Sequence, residues 1–125
     1  MTDDSKDYAA GLNERLGGYD SAMGLRFTRA TLTEIVAEMP ITPQHHQPYG
    51  LVHGGVYAGI VETLCSVGAA LNALASGRSA VGLENSTSFV KAAREGTLHA
   101  RAVPLVRGRR TQVWEARIED GEGNL

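Results

Sequence analysis

The 125-residue sequence has almost nothing that could cross-link a fold. It contains a single cysteine, Cys65, so no disulfide can form within the chain. The paired C-x-x-C spacing of structural zinc sites is also absent. These absences exclude a disulfide-rich secreted scaffold and a zinc-ribbon domain, and they favour a reducing compartment.

An excess of basic charge is missing as well. Twelve Lys and Arg against 14 Asp and Glu leave a formal net charge of −2, which provides no general surface for nucleic acid. The first seven residues, MTDDSKD, are polar and acidic, whereas a secretory signal starts with basic residues and continues with apolar ones. We therefore expect a cytoplasmic protein, with residues 1–125 forming one domain and residues 1–20 an N-terminal helical extension.

What the sequence does contain is a regular alternation of apolar residues. The predicted elements, in chain order, are a short helix at residues 6–17, strands at 24–30 and 35–41, a long helix at 54–76, and strands at 80–90, 97–107 and 110–119. Pro104 lies inside one of these strands and predicts an edge or a bulge there. The order predicts an α+β fold in which helices cover an antiparallel sheet.

The long helix is apolar or small on every side. One stripe should pack on the sheet: Val56, Ile60, Leu64, Val67, Leu71 and Leu74. The opposite side carries small residues and Glu62, the only charged residue between Gly54 and Gly77. Because small residues let another helix approach closely, we expect the same helix of a second copy there, in a two-fold dimer.

Two other interpretations of this helix remain. Its length would allow a transmembrane span, but its many alanines, glycines and serines and its amphipathic flanks argue against one. We therefore expect no membrane association. In the second interpretation, Glu62 serves only to satisfy a buried hydrogen-bond donor.

The helix begins with His53, Gly54 and Gly55. The first N–H groups of a helix have no partner within the helix, and they lie at its positive end, where they could polarise a carbonyl; an ordinary helix start is the alternative. Gly54 and Glu62 are about 12 Å apart along the helix axis, which is too far for both to act on one carbonyl. Two antiparallel helices across a dimer axis could bring them together.

Three segments carry a resemblance to a known family. Residues 53–63 read HGGVYAGIVET, residues 81–91 read VGLENSTSFVK, and residues 107–114 read RGRRTQVW. The first resembles the signature of hotdog-fold acyl-CoA thioesterases of the phenylacetate-pathway type and of the 4-hydroxybenzoyl-CoA type found in Arthrobacter. The other two are similar to the strand and hairpin that follow in that family. The resemblance implies an antiparallel sheet wrapped around one long central helix.

The resemblance also implies roles for individual residues. Glu62 matches the catalytic carboxylate, as nucleophile or general base, and Gly54 matches the N–H group that polarises the thioester carbonyl. Gln47 matches a side chain that positions the thioester or water, and Ser66 a hydroxyl that holds water. In the family the acid and the Gly/Gln group come from different protomers. We include His53 in the catalytic set, with its ring expected to bond backbone at the helix start.

Further residues are assigned to substrate binding. The arginines of a predicted hairpin tip could bind the phosphates of CoA, although a solvated charged turn is the alternative. The predicted substrate- or CoA-binding residues are Gly55, Asn85, Ser88, Arg107, Arg109, Arg110 and Thr111. The spacing of the histidines fits no common metal site, so we expect no metal, and coenzyme A enters only as part of the substrate.

The resemblance therefore predicts an enzyme that hydrolyses aromatic acyl-CoA esters, such as hydroxybenzoyl- or dihydroxynaphthoyl-CoA, or medium-chain acyl-CoA. A non-catalytic acyl-CoA-binding module on the same fold is the alternative. Self-association into a homodimer or homotetramer is expected. The family continues with one more strand, and on this pattern a final strand is missing after residue 125.

Overall fold

Residues 4–125 form two short helices, two strands, a long helix and two further strands. The computed structural model describes residues 4–125, so the first three residues of the predicted N-terminal extension lie outside the described part. The elements are α1 (Ala9–Glu14), α2 (Gly18–Met23), β1 (Arg26–Ala30), β2 (Ile35–Pro40), a 3-10 turn (Pro43–His45), α3 (Gly54–Ala75), β3 (Thr97–Arg107) and β4 (Gln112–Glu119). This α+β order confirms the predicted fold class.

The four strands form one antiparallel sheet in the order β1-β2-β3-β4. The central strand β3 pairs Ala100 with Ala37 of β2 and Ala102 with Ala116 of β4. The register between β3 and β4 shifts between Pro104 and Val106. Proline has no N–H to give to the ladder, so the predicted bulge at Pro104 is confirmed.

The sheet packs against one side of α3. Ile60 and Leu64 of α3 are 1% and 0% exposed and form the centre of the core, facing buried residues of β2 and β3. At 25 cal/mol per Å², each such side chain contributes roughly 1.5–3 kcal/mol on burial. Leu74, which the predicted stripe included, is 66% exposed in the last turn of α3. By length and mean hydropathy α3 could cross a membrane. The sheet buries the middle of its apolar stripe, at Ile60 and Leu64, and 28% of its most apolar 18-residue window is buried within one chain.

The N-terminal region contains two helices where the sequence predicted one. The predicted helix at residues 6–17 is shorter in the structure, because α1 already ends at Glu14 with Arg15 as its C-cap. The second helix, α2, begins at Gly18 and ends at Met23, and the φ of 82° at Gly24 closes it in the left-handed conformation that glycine adopts easily. Tyr19 of α2 lies over Gly59 of α3, which leaves no room for a larger side chain there. Part of the small-residue side of α3 is therefore covered by the chain itself.

The predicted strand at residues 80–90 is wrong. The structure of residues 4–125 gives this segment neither a strand assignment nor a backbone hydrogen bond to β4. Its apolar alternation remains, but Val81 and Leu83 are 87% and 85% exposed. A strand requires a neighbouring strand to complete its hydrogen bonds, and this segment instead contacts α3 through side chains.

Candidate active site

The two carboxylate oxygens of Glu62, in the middle of α3, have different hydrogen-bond donors. The hydroxyl of Ser66, one helical turn later, donates to Oε2 at 3.0 Å, and Nδ2 of Asn85 donates to Oε1 at 3.4 Å. Gly82 lies so close that a Cβ added to it would be 2.8 Å from Oε2. Glu62 is nevertheless exposed within one chain. Among residues 4–125, only one irregular segment contacts its carboxylate from outside α3, so a single chain does not bury it.

The side chain of Asn85 points towards the carboxylate of Glu62. Its Nδ2 also donates to the carbonyl oxygen of Ala58 at 3.0 Å, and its Oδ1 accepts a hydrogen bond from the hydroxyl of Thr87 at 2.6 Å. Asn85 was predicted to contact substrate, and Thr87 was not singled out by the sequence. Residues 79–90 are irregular, so side-chain alternation could not indicate this contact.

An open cavity of about 470 Å³ lies beside Glu62, between α3, residues 80–86 and the start of β4. Ser66 and Asn85 line it with the carboxylate, and Val61, Cys65 and Trp114 supply apolar walls. Trp114 is half-buried against the core. The cavity therefore combines the Glu62 carboxylate, two hydrogen-bond donors to it, a second carboxylate at Glu84 and an apolar surface.

Cys65 lies next to this carboxylate but is not suited to act as a nucleophile. Burial, and to a smaller extent the negative charge of Glu62, raise the pKa of its thiol to about 11. Only the thiolate attacks carbonyl carbon, so Cys65 remains a neutral packing residue near neutral pH.

The start of α3 differs in one detail from the prediction. Nδ1 of His53 accepts a hydrogen bond from the N–H of Gly55 at 2.7 Å, so His53 is the N-cap and Gly55 is not a free donor. The N–H of Gly54 has no acceptor among residues 4–125. The tip of the Phe89 ring packs on Gly54, where a Cβ would lie 3.1 Å from Cζ. One unpaired amide donor therefore remains at the positive end of α3.

Gln47 lies in the loop before α3, and its backbone N–H donates to the carbonyl oxygen of Leu51 at 2.7 Å. Its side-chain Oε1 accepts from the N–H of Tyr49, which leaves the Nε2 group without an acceptor among residues 4–125. Neither Gln47 nor Gly54 lines the cavity beside Glu62. Within one chain the predicted catalytic groups thus form two separate sets.

The predicted arginines gather at the opposite end of α3. Arg107, Arg109 and Arg110 line a second open cavity of about 590 Å³ together with Arg78. Arg78 donates to the carbonyl oxygen of Arg109 at 2.7 Å, and Arg107 contacts Asn72 at 3.4 Å. Arg78 was not among the residues predicted from the sequence, although it follows the predicted end of the long helix, where the helix dipole favours a basic residue.

The remaining predicted binding residues, Ser88 and Thr111, are exposed and line neither cavity. Two histidines bond to backbone, His45 through Nε2 to Met23 and His46 through Nε2 to Arg94, each at 2.7 Å. Residues 4–125 contain no group of three or more His, Cys, Asp and Glu that could hold a metal ion.

Comparison with known proteins matches this geometry to one family. Residues 49–125 match the family described as the thioesterase superfamily. Rv1847 of Mycobacterium tuberculosis is 39% identical over 118 residues, which are 93% of this chain and 84% of that protein. The proofreading thioesterase EntH of Cronobacter turicensis is 38% identical over 101 residues, or 81% of this chain and 73% of EntH.

The solved structure of the thioesterase HI1161 from Haemophilus influenzae superimposes with a TM-score of 0.88 at 30% identity, covering 99% of this chain and 87% of HI1161. An antiparallel sheet around one long helix is common to both. The predicted hotdog fold is thereby confirmed.

Proposed function

This chain belongs to the thioesterase superfamily and is a thioester hydrolase, and from that premise we propose that it hydrolyses acyl-CoA with Glu62 as the catalytic carboxylate. The observation that carries the proposal is the pair of hydrogen bonds to Glu62 from Ser66 and Asn85 beside an open, partly apolar cavity. A carboxylate fixed by two donors is oriented for reaction before substrate binds.

The chemistry requires few groups because thiolate leaves readily. In the general-base route Glu62 takes a proton from a water molecule, the hydroxide attacks the thioester carbonyl carbon, and the C–S bond breaks to release the acid and CoA. In the nucleophilic route a carboxylate oxygen of Glu62 attacks the carbonyl carbon, the C–S bond breaks to expel the thiolate of CoA, and water hydrolyses the resulting mixed anhydride to the free acid and Glu62. Ser66 would hold the water in either route.

Polarisation of the carbonyl is assigned to the N–H of Gly54, the unpaired donor at the start of α3. In one chain it is about 12 Å along the helix from Glu62. We therefore propose that the active site is shared between two copies, with Glu62 of one facing Gly54 and Gln47 of the other. A homodimer, and its pairing into a homotetramer, belong to this proposal, as does location in the cytoplasm.

The substrate proposal rests on the two cavities. Trp114 and Val61 offer a flat and a branched apolar surface to an acyl group, which favours aromatic or medium-chain acyl-CoA. The arginines at 107, 109 and 110 carry guanidinium groups suited to the phosphates of CoA. The two cavities share Ala69 and Gln112 in their linings, so one extended ligand could occupy both.

Thiol release from a panel of benzoyl-, hydroxybenzoyl- and octanoyl-CoA tests the activity. We expect Glu62→Gln to lower kcat at least about a hundredfold, while Glu115→Gln on the exposed face of β4 serves as the matched control. Full turnover in Glu62→Gln would overturn the role of this residue. Binding of CoA esters without thiol release would favour the non-catalytic module instead.

Mixing two inactive variants tests whether the site is shared. A dimer of one Glu62→Ala chain and one Gln47→Ala chain contains one intact site if the groups come from different copies, and none if they come from one chain. Refolding the two variants together should restore about a quarter of wild-type activity, since half of the dimers are mixed and each has one of two sites. No recovery would contradict the shared site.

A further inference from the structure

The side-chain amide of Asn85 has hydrogen-bond partners on both sides. On one side it faces two acceptors, the carbonyl oxygen of Ala58 and, when Glu62 is ionised, Oε1 of its carboxylate. That side must be the NH₂ group, and Oδ1 is then the atom that receives the hydroxyl of Thr87 at 2.6 Å. A half-turn of the Asn85 amide would bring Oδ1 towards these two acceptors and lose both hydrogen bonds, whereas the hydroxyl of Thr87 could then accept in place of donating.

This arrangement completes the support of the Glu62 carboxylate. Ser66 holds Oε2 from the same helix, whereas Asn85 holds Oε1 from a separate segment. Two donors on different oxygens and from different elements fix the plane of the carboxylate, which one donor on the same helix could not do. Asn85 thus acts on the reacting group through orientation and charge stabilisation.

We propose that Asn85, held by Thr87, is a positioning residue that orients the carboxylate of Glu62. The inference rests on the proposed function, because it assigns to Asn85 a role towards the catalytic carboxylate and not the contact with substrate predicted from the sequence. Asn85 is exposed, so its hydrogen bonds add little to the stability of the fold.

Few other ionisable groups face Glu62 across the cavity. Cys65 contributes from α3 and Glu84 from the irregular segment, while the start of β4 contributes the uncharged Gln112, Val113 and Trp114. Cys65 is neutral near pH 7. A new carboxylate at position 85 would therefore act on Glu62 without a compensating cation in this lining.

Asn85→Asp is the most direct test. A second carboxylate beside Oε1 removes the donor and disfavours the ionised form of Glu62, so the acid limb of the kcat/KM profile should move up by about one pH unit. We expect kcat to fall about tenfold at pH 7 with KM changed less than twofold. Ala10→Asp on the exposed face of α1 adds the same charge elsewhere and serves as the matched control.

Two further variants separate orientation from charge. Asn85→Ala removes the donor without adding charge, so kcat should fall and the acid limb should move less than in Asn85→Asp. Thr87→Val leaves Asn85 in place but removes the hydroxyl that donates to its Oδ1, so the amide is held less firmly and a loss of a few fold in kcat is expected. Thermal unfolding of all three should match the wild type, because the residues are not in the core.

Titration of the Glu62 side-chain carboxyl by carbon NMR gives a readout that does not depend on turnover. An upward move of its midpoint in Asn85→Asp, with none in Ala10→Asp, is the expected result. If the wild type is active, and Asn85→Asp has the same kcat and the same NMR midpoint of Glu62, the inference is overturned and the proposed function stands. If no acyl-CoA is hydrolysed by the wild type, the proposed function fails, and an unchanged NMR midpoint would independently reject the contact.

Discussion

The indole ring of Trp114 lies directly on Gly68, in the middle of α3. A Cβ built on Gly68 would be 2.5 Å from Cη2 of Trp114, well inside van der Waals contact. The ring is held in place because its Nε1 donates to Gln112 at 2.9 Å, and Gln112 in turn donates to the carbonyl oxygen of Ala69 at 3.1 Å. The contact joins β4 to α3 along one wall of the cavity beside Glu62.

Gly68→Ala should therefore destabilise the protein. The added methyl group has to push Trp114 away, and overpacking of this kind costs about 1–3 kcal/mol, more than the helix propensity that alanine restores. The midpoint of thermal or urea unfolding measures the change, and the emission of the only tryptophan in the sequence reports the displaced ring. Gly11→Ala in α1, with no atom within 4 Å of the added Cβ, is the control and should be neutral or stabilising. Equal stability of the two variants would contradict the contact.

Asp7 should make stability depend on pH at the acid end. Its Oδ1 accepts from the N–H groups of Ala9 at 2.9 Å and Ala30 at 3.0 Å, which hold the pKa of the carboxyl below its ordinary 3.8. A lowered pKa in the folded state means that the stabilisation is complete above pH 3.8 and is lost as pH falls through the lower value. Urea unfolding of wild type and Asp7→Ala should therefore differ at pH 7 and converge near pH 2. Glu122→Ala, exposed in the last turn, is the control.

Cys65 should react slowly with thiol reagents, and the pH dependence should show why. With a pKa of about 11 only a very small fraction is thiolate at pH 8, so alkylation is expected to be about a hundredfold slower than for an exposed cysteine of ordinary pKa. The rate should continue to rise beyond pH 10. Glu62→Gln removes the smaller of the two causes and should accelerate the reaction. A rate that levels off near pH 9 would be inconsistent with this environment.

The hairpin arginines should affect KM and leave the chemical step unchanged. Arg110→Ala removes one cation from the cavity at the end of α3, so we expect KM for an acyl-CoA to rise about fivefold with kcat unchanged. A substrate truncated to acyl-pantetheine ends before the adenine nucleotide, and its KM should not respond. Arg26→Ala is the control, because the only ion pair of Arg26 among residues 4–125 is with Glu38 on β2. An equal rise for both substrates would argue against phosphate contact.

Much of the fold follows from local pattern. The apolar stripe and glycine boundaries of the long helix predicted residues 54–76, and the structure has Gly54–Ala75. Alternation predicted the strand at 97–107 with the same limits as β3, and Pro104 indicated its bulge. Two short helices replace one at the N-terminus: the first ends at Glu14, and the second begins at Gly18.

Other features of the structure depend on hydrogen-bond partners that the pattern of residues does not specify. Residues 80–90 have the alternation of a strand, but a strand exists only where another strand supplies its hydrogen bonds. The N–H of Gly55 was predicted to be free, but the ring of His53 caps it. The partner of Asn85 was predicted to be substrate, and the structure gives it Glu62.

The sequence by itself determined the order of elements, the long helix with one acid among small residues, and the family motif, because these depend on periodicity and on residues close along the chain. Only the tertiary structure decided which side chains meet Glu62, which amide at the start of α3 remains unpaired, and that arginines from a helix end and a hairpin share one cavity. The hydrogen bonds from Asn85 to Glu62 and from Arg78 to Arg109 join residues 23 and 31 positions apart, so tertiary packing sets their geometry. The cap of His53 on Gly55 is local, but it depends on the orientation of one ring, which the residue types do not specify.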